Sequence, residues 1–302
     1  MKAFLLAAGF GERLRPITDA MPKPLVPVMN VPAICYALSL VKNAGITDVV
    51  CNVHYHREQI VDFFRRNNNF GLNIVFSIEE TILGTGGGLE NCREHFKHGP
   101  FLYINSDIIA PIDLRSFISS FNASRMDGFL LVSGSAGPDS RVTVRDGRVV
   151  NLRKILPVEE RPGHDFLGIA AFTPEIFKYL KHGFSDIVEN GFIDLVKQEA
   201  LGCHDHSGPW HDIGSMESYR LANMALLNMD EGFRNAVTSA TGLGPRAIAP
   251  TARIGNNCSI TRSVIGGECV VGDGAVIAES VLLPGAVVEN SARVIKRVMF
   301  RS

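Results

Sequence analysis

The sequence shows no excess of charge of either sign: 30 Lys and Arg stand against 31 Asp and Glu in 302 residues, a formal net charge of −1. Bulk attraction to nucleic acid or to an anionic membrane is therefore excluded as the main route to a partner, and any anion site must be local. No apolar run reaches the ~18 residues of a spanning helix, and the opening stretch Met1–Gly9 lacks the long apolar core of a signal peptide. A cytoplasmic protein with no membrane partner is expected. Cysteine is sparse, at 35, 51, 92, 203, 258 and 269, with no Cys-x-x-Cys spacing. Small core residues of a reduced protein are expected rather than a disulfide framework. Histidine is absent beyond His211, so the tail lacks the base that an acyltransferase would need.

What is present is a 46% hydrophobic chain long enough for one large domain or two smaller ones. Short apolar runs at 2–7, 47–53, 72–78, 101–105 and 128–133 alternate with amphipathic patterns at 32–44, 56–67, 85–96 and 113–124. This is the signature of βαβ units with helices on both faces of a sheet. Asp146-Gly147 between Arg141–Val144 and Arg148–Leu152 predicts a tight β-hairpin. A strand at 166–172, helices at 174–181 and 186–201, a short strand at 203–207 and a helix at 215–229 complete a domain over 1–234. The Asn, Thr, Ser and Gly of 235–246 predict a linker.

From 247 to 302 the helical period gives way to a six-residue period. It runs through Ile248, Ile254 and Ile260 and, after a one-residue slip, Ile265, Val271, Ile277 and Leu283. Three six-residue turns build one triangular coil of about 18 residues in a parallel β-helix, with the aliphatic residue inward and Gly255, Gly266 and Gly272 at corners. So short a stack needs a partner surface, which predicts self-association or packing on the rest of the chain.

The chemistry concentrates first at Leu6-Ala7-Ala8-Gly9-Phe10-Gly11-Glu12-Arg13-Leu14-Arg15-Pro16-Ile17-Thr18, followed by Pro22-Lys23-Pro24. A strand ending in a two-glycine loop brings backbone N–H groups to a bound anion. Leu14 stands where the dinucleotide fingerprint has its third glycine, and no Gly-Lys-Ser/Thr closes a P-loop. Arg13 supplies a bidentate fork for phosphate, and Lys23, between two prolines, a mobile point charge on a stiff extended segment.

These residues resemble the hallmark of the sugar nucleotidyltransferases, a strand followed by Gly-x-Gly-x-Arg-Leu-x-Pro-x-Thr and then Pro-Lys-Pro. The likeness extends through 1–225, and the six-residue repeats resemble the left-handed β-helix that many members carry at the C-terminus. The resemblance implies a Rossmann-like doubly wound mixed α/β sheet with that short β-helix appended. It also implies NTP and sugar 1-phosphate as substrates, Mg²⁺ as cofactor, and a homo-oligomer formed through the β-helix.

Residue by residue, the resemblance assigns Leu6, Ala8, Gly9, Gly11 and Arg13 to the nucleotide, with Arg13, Lys23 and Asp107 catalytic. The loop Gly84-Thr85-Gly86-Gly87-Gly88 corresponds to the family's nucleobase loop, so Gly84, Thr85 and Gly86 are assigned there. Glu79 upstream offers a carboxylate to the N1–H and amine of guanine, or is a solvated loop acid. Asn105-Ser106-Asp107 ends a central strand at the edge where α/β sheets bind ligands. Its Asp107 corresponds to one Mg²⁺ ligand and Asp212, in Trp210-His211-Asp212-Ile213-Gly214, to the second. Two carboxylates suffice for a cation that also takes phosphate oxygens and waters.

The sugar side implies Asn105 and Gly168, with Arg161 of Glu160-Arg161-Pro162 in place of the family's phosphate-binding Lys, or a shortened loop. Cys203-His204-Asp205-His206 does not read as zinc, because neighbours on a strand point to opposite faces. The upstream Glu and the glycine loop lean toward mannose-1-phosphate guanylyl transfer. Uridylyl or thymidylyl transfer to glucose or N-acetylmuramic acid 1-phosphate, guanylyl transfer to heptose 1-phosphate, and a non-catalytic regulatory subunit stay open.

Overall fold

A computed structural model describes residues 1–134, 141–157 and 163–300. The chain divides into two compact units, Met1–Gly9 with Leu40–Trp210, and Phe10–Ser39 with His211–Ser302.

The first unit is built on a nine-stranded sheet. Asn73–Ile78, Asp48–Val53, Lys2–Leu6 and Phe101–Asn105 lie side by side and parallel, as crossover helices require. Phe166–Phe172 then runs antiparallel to both Phe101–Asn105 and Gly128–Ser133. Leu201–His206 and the hairpin Arg148–Leu152 with Val142–Arg145 finish the other edge, giving the mixed α/β sheet expected. Phe4, Tyr103, Phe101, Phe172 and Phe192 fill one core on this sheet. Fully burying each such ring contributes roughly 1.5–3 kcal/mol.

Some helices are shorter than their patterns suggested, the expected 174–181 reduced to a 3-10 turn over Pro174–Lys178. The expected 85–96 helix breaks into Gly84–Glu90 and Arg93–Phe96, and 186–201 is interrupted at Asn190 and Gly191, whose backbones leave the helical region. Its helical remainder, Ile193–Lys197, is followed by a strand that starts at Leu201.

The second unit carries the expected β-helix as three sheets of three parallel strands. Its coil is 17 residues, not 18: Asn256 and Ser263 bond to Asp273 and Ser280, each 17 positions on. The slip between Ile260 and Ile265 recurs once per coil, so the inward column passes through Ile265, Val271, Ile277, Leu282, Val288 and Val294. Small residues repeat with the same spacing, as Ala252, Cys269 and Ala286, and Cys258, Ala275 and Ala292. Gly255, Gly266 and Gly272 sit at corners where a side-chain carbon would come within 2.4–2.6 Å of the next coil.

The partition also departs from the expected division. Residues 10–39 group with the C-terminal repeats, and the stretch 235–246 is not a linker throughout, because Glu231–Thr241 is a helix. Asp230 caps it by accepting from the Phe233 N–H at 3.2 Å, and Phe233, Val237, Ala240 and Thr241 bury one face. The Asn, Ser and Thr that resembled a linker line much of its outer face.

Candidate active site

In the first unit, sheet register brings the site residues to one edge. Leu6 pairs with Asn105 on one side and Asn52 on the other, all at the C-terminal ends of parallel strands. The Ser106 N–H donates to the Leu6 carbonyl at 3.2 Å, which fixes the exit of the Asn105-Ser106-Asp107 turn. Gly168 faces this turn at φ +74, and a side-chain carbon there would lie 2.8 Å from Asn105 Nδ2. Gly168 therefore leaves room for the Asn105 amide. The Asn105 Oδ1 is buried with no hydrogen-bond partner among the described residues. A buried acceptor left unpaired costs about 1–3 kcal/mol, and a ligand donor would recover it. Asp107 and Asp186 both act on the Tyr103 hydroxyl, whose titration is pushed up first by burial and then by these two carboxylates.

Glu79 does not lie in solvent. It is 2% exposed, its Oε1 accepts from Asn52 Nδ2 at 2.7 Å and its Oε2 from the Leu83 N–H at 2.9 Å. Asn52 in turn accepts from the Ala7 N–H at 2.8 Å. One carboxylate thus ties the end of the first strand to the start of the glycine loop. Burial pushes its titration up, opposed by the two hydrogen bonds. The alternative of a solvated loop acid is corrected to a buried group whose two oxygens are engaged inside the protein.

The glycine loop is likewise shaped from within. Gly84 stands at φ +73, and a side-chain carbon there would meet the Ser185 carbonyl at 2.6 Å. At Gly87 it would meet the Gly183 carbonyl at 1.9 Å. The Gly86 N–H donates to Ser185 O at 2.9 Å, and Thr85 Oγ1 accepts from the Ile187 N–H at 2.9 Å. Gly88 lies on the Glu79 and Asn52 pair. The close approach that demands these glycines is therefore first of all to segment 183–187, a partner that sequence spacing did not reveal.

In the second unit, Gly11 at φ +68 opens the short turn Glu12–Leu14. Thr18 Oγ1 donates to its carbonyl at 3.0 Å, and a side-chain carbon on Gly11 would touch Thr18 Cγ2 at 2.9 Å and Lys23 Cβ at 3.1 Å. The glycine, the threonine and the lysine of the signature thus interlock. Arg13 is exposed, and Gly214 lies beside its guanidinium and the Asp212 carboxylate. Asp212 Oδ1 accepts from the Gly214 N–H at 3.3 Å. Gly9 and Ala8 belong to the first unit, with nothing within 4 Å of the carbon that Gly9 lacks. Arg161 lies outside the described residues.

Among the described residues no group of three or more His, Cys, Asp or Glu could hold a metal ion. The donors at hand are single carboxylates, which suit a hard, hydrated cation carried largely by phosphate. No helix among the described residues is long and apolar enough to cross a membrane.

A family model described as nucleotidyl transferase matches residues 2–229. The mannose-1-phosphate guanyltransferase of Pichia angusta is 32% identical over 271 residues, spanning 85% of this chain and 74% of that protein. That of Saccharomyces cerevisiae is 31% identical over 262 residues, spanning 84% and 73%. Among solved structures, a Bacillus anthracis protein crystallised with sucrose has a TM-score of 0.65 at 23% identity, covering 76% of this chain and 96% of that one. HddC from Yersinia pseudotuberculosis complexed with GMP-PN has a TM-score of 0.61 at 21% identity, covering 74% and 99%. These last two likenesses are of fold.

Proposed function

This chain belongs to the nucleotidyl transferase family, and from that premise we propose that it joins GTP to mannose 1-phosphate, giving GDP-mannose and pyrophosphate. The observation that carries the substrate pair is the run of relatives named mannose-1-phosphate guanyltransferase at 29–32% identity, the first three spanning 84–85% of this chain.

The reaction asks little covalent chemistry of the protein. The phosphate oxygen of the sugar 1-phosphate is already ionised, attacks the α-phosphorus in line, and pyrophosphate leaves. No general base is required. The protein must align two polyanions and neutralise charge that grows on the phosphorus. Arg13 does so with a planar fork for phosphate oxygens and Lys23 with a mobile ammonium. The amides of the loop through Ala8, Gly9 and Gly11 orient the phosphates.

The loop of Gly84, Thr85 and Gly86 presents backbone groups to the base, with Glu79 holding that loop rather than reading guanine. Asn105 Oδ1 accepts from a sugar hydroxyl beside Gly168. The family generally uses a divalent metal, and Asp107 and Asp212 are assigned by motif to hold Mg²⁺, which when bound neutralises phosphate charge. Self-association through the β-helix and a cytoplasmic location complete the proposal.

The test is pyrophosphate release over GTP, UTP, dTTP, ATP and CTP crossed with mannose, glucose, N-acetylglucosamine, N-acetylmuramic acid and heptose 1-phosphates. Release confined to GTP and mannose 1-phosphate supports the proposal. Release from another pair replaces the substrates, and silence across the panel with folded protein and Mg²⁺ overturns it.

A further inference from the structure

The short hairpin that follows the signature lysine is pinned at Pro27, Met29 and Asn30 by residues from the C-terminal part of the same unit. Pro27–Val28 pairs antiparallel with Val31–Pro32 across a turn in which Met29 and Asn30 stand at φ +49 and +64. Both central residues of a tight hairpin turn of this class need positive φ, which asparagine tolerates and methionine resists. Met29 is nonetheless buried. What holds it is a set of tethers. The Met29 N–H donates to Asn223 Oδ1 at 2.8 Å, and its carbonyl accepts from the Arg246 N–H at 2.9 Å. Tyr219 Oη donates to the Pro27 carbonyl at 2.6 Å.

Asn30 completes the clamp. Its side-chain Nδ2 donates both hydrogens, one to the Arg246 carbonyl at 2.9 Å and one to the Ile265 carbonyl at 3.0 Å. Ile265 is a core residue of the β-helix. From the hairpin the connection runs back by backbone bonds, Ala33 N–H to Val26 O at 3.0 Å and Val26 N–H to Lys23 O at 3.1 Å, and Lys23 Cβ packs on Gly11.

We infer that Asn30 is a positioning residue through which the β-helix sets the signature loop, so the C-terminal coil acts on turnover through the placement of Lys23. This rests on the assignment of Arg13 and Lys23 to phosphate chemistry made above. The tethers hold a backbone that is costly by itself, and such strain persists only where the surroundings over-determine it. Loosening the clamp leaves the loop present but displaced, and a displacement of about 1 Å in a positioning element costs up to ~10²-fold in rate.

The experiment compares Asn30→Asp and Asn30→Gly with Ser280→Ala in the full chain. Both Asn30 variants keep a residue that tolerates positive φ and remove the two donors. Ser280, buried in the β-helix, accepts from the Arg297 N–H at 3.0 Å and donates to the Ala278 carbonyl at 2.7 Å, so its loss weakens the coil without removing any of the hydrogen bonds made to the hairpin. The Asn30 variants should lose about ten- to a hundredfold in kcat with KM for GTP within about threefold. Amide exchange in residues 10–33 should quicken while that of strands 2–6 and 101–105 does not, and Ser280→Ala should keep its kcat below its unfolding temperature. Unchanged kcat in Asn30→Asp, unchanged exchange in 10–33, or an equal kcat loss in Ser280→Ala each overturns the inference. Should the wild-type chain release no pyrophosphate with any substrate pair, the reading of its activity fails, and the exchange arm alone decides this one.

Discussion

Arg13 and Asp212, 199 positions apart in the sequence, border the same glycine: a side-chain carbon on Gly214 would lie 3.2 Å from Arg13 Nη2 and 3.1 Å from Asp212 Oδ2. The fork proposed for phosphate and the carboxylate proposed for the metal are thus spaced by a residue that has no side chain. Both neighbours are the far ends of flexible side chains, so Gly214→Ala is accommodated by moving them rather than by unfolding. The variant should melt within a few degrees of the wild type and lose roughly tenfold or more in kcat, as misplaced charged groups do. Wild-type turnover in Gly214→Ala would mean that Arg13 and Asp212 do not act from these positions.

Gly87 of the glycine loop and Gly9 of the predicted nucleotide site should respond in opposite ways. Gly87→Ala drives a carbon to 1.9 Å from the Gly183 carbonyl, a backbone atom that cannot swing aside. Overpacking of this kind costs typically ~1–3 kcal/mol, and denaturant titration should show a lower midpoint at unchanged slope. Gly9→Ala meets nothing within 4 Å. It should stay within about 0.5 kcal/mol of wild type while raising KM for the nucleotide, because the added methyl stands where phosphate is proposed to approach the amides. Stable and fully active Gly9→Ala would remove Gly9 from the site.

The signature was legible because its residue types are dictated by local backbone: Gly11 at φ +68, Thr18 bonded to it, and Lys23 against it all lie within 13 positions. The glycine loop was legible as a site but not in its physical cause. The Thr85 to Ile187 bond spans 102 residues, and no pattern around 84–88 announces which backbone will press on it. The burial of Glu79 is not legible for the same reason, since exposure of an acid follows from partners such as Asn52, 27 residues away. The coil length needed a second coil to show that the slip at Ile265 is periodic. The helix over Glu231–Thr241 was hidden by the polar residues of its outer face, although Phe233, Val237 and Ala240 carry its period.

Glu79 gives a pH signature. Its carboxyl is pushed up by burial in the folded protein, so the native state holds this proton more tightly than the unfolded chain does. Stability from this residue is therefore full below the ordinary glutamate range, falls as pH rises through that range to the raised native value, and is level above it. Glu79→Gln cannot titrate, and its amide presents a donor to either Asn52 Nδ2 or the Leu83 N–H. The variant should be less stable by about 1–3 kcal/mol for the buried bond it loses, and the difference from wild type should shrink as pH rises through that window. A difference that is flat or grows with pH would show that the carboxylate is not strained by burial.

Removal of the metal should abolish turnover without loosening the fold. On the proposed assignment of Asp107 and Asp212 the cation would be held mainly by substrate phosphate and water, and a chelator would take away a reactant partner rather than a structural strut. Pyrophosphate release should cease in excess chelator and return with Mg²⁺, while the melting temperature of the substrate-free protein stays the same. Asp107→Asn and Asp212→Asn keep volume and one oxygen but lose the charge. Each should lower kcat by about 10²–10³-fold, the scale of losing one preorganised electrostatic group, and raise the Mg²⁺ concentration for half-maximal rate. Mn²⁺, which binds the same oxygen donors more tightly than Mg²⁺ does, should recover part of the rate. A variant slow at every metal concentration, with an unchanged metal midpoint, would make its aspartate a substrate-orienting group instead, and a melting temperature that falls with chelator would mean a structural metal that the side chains alone do not explain.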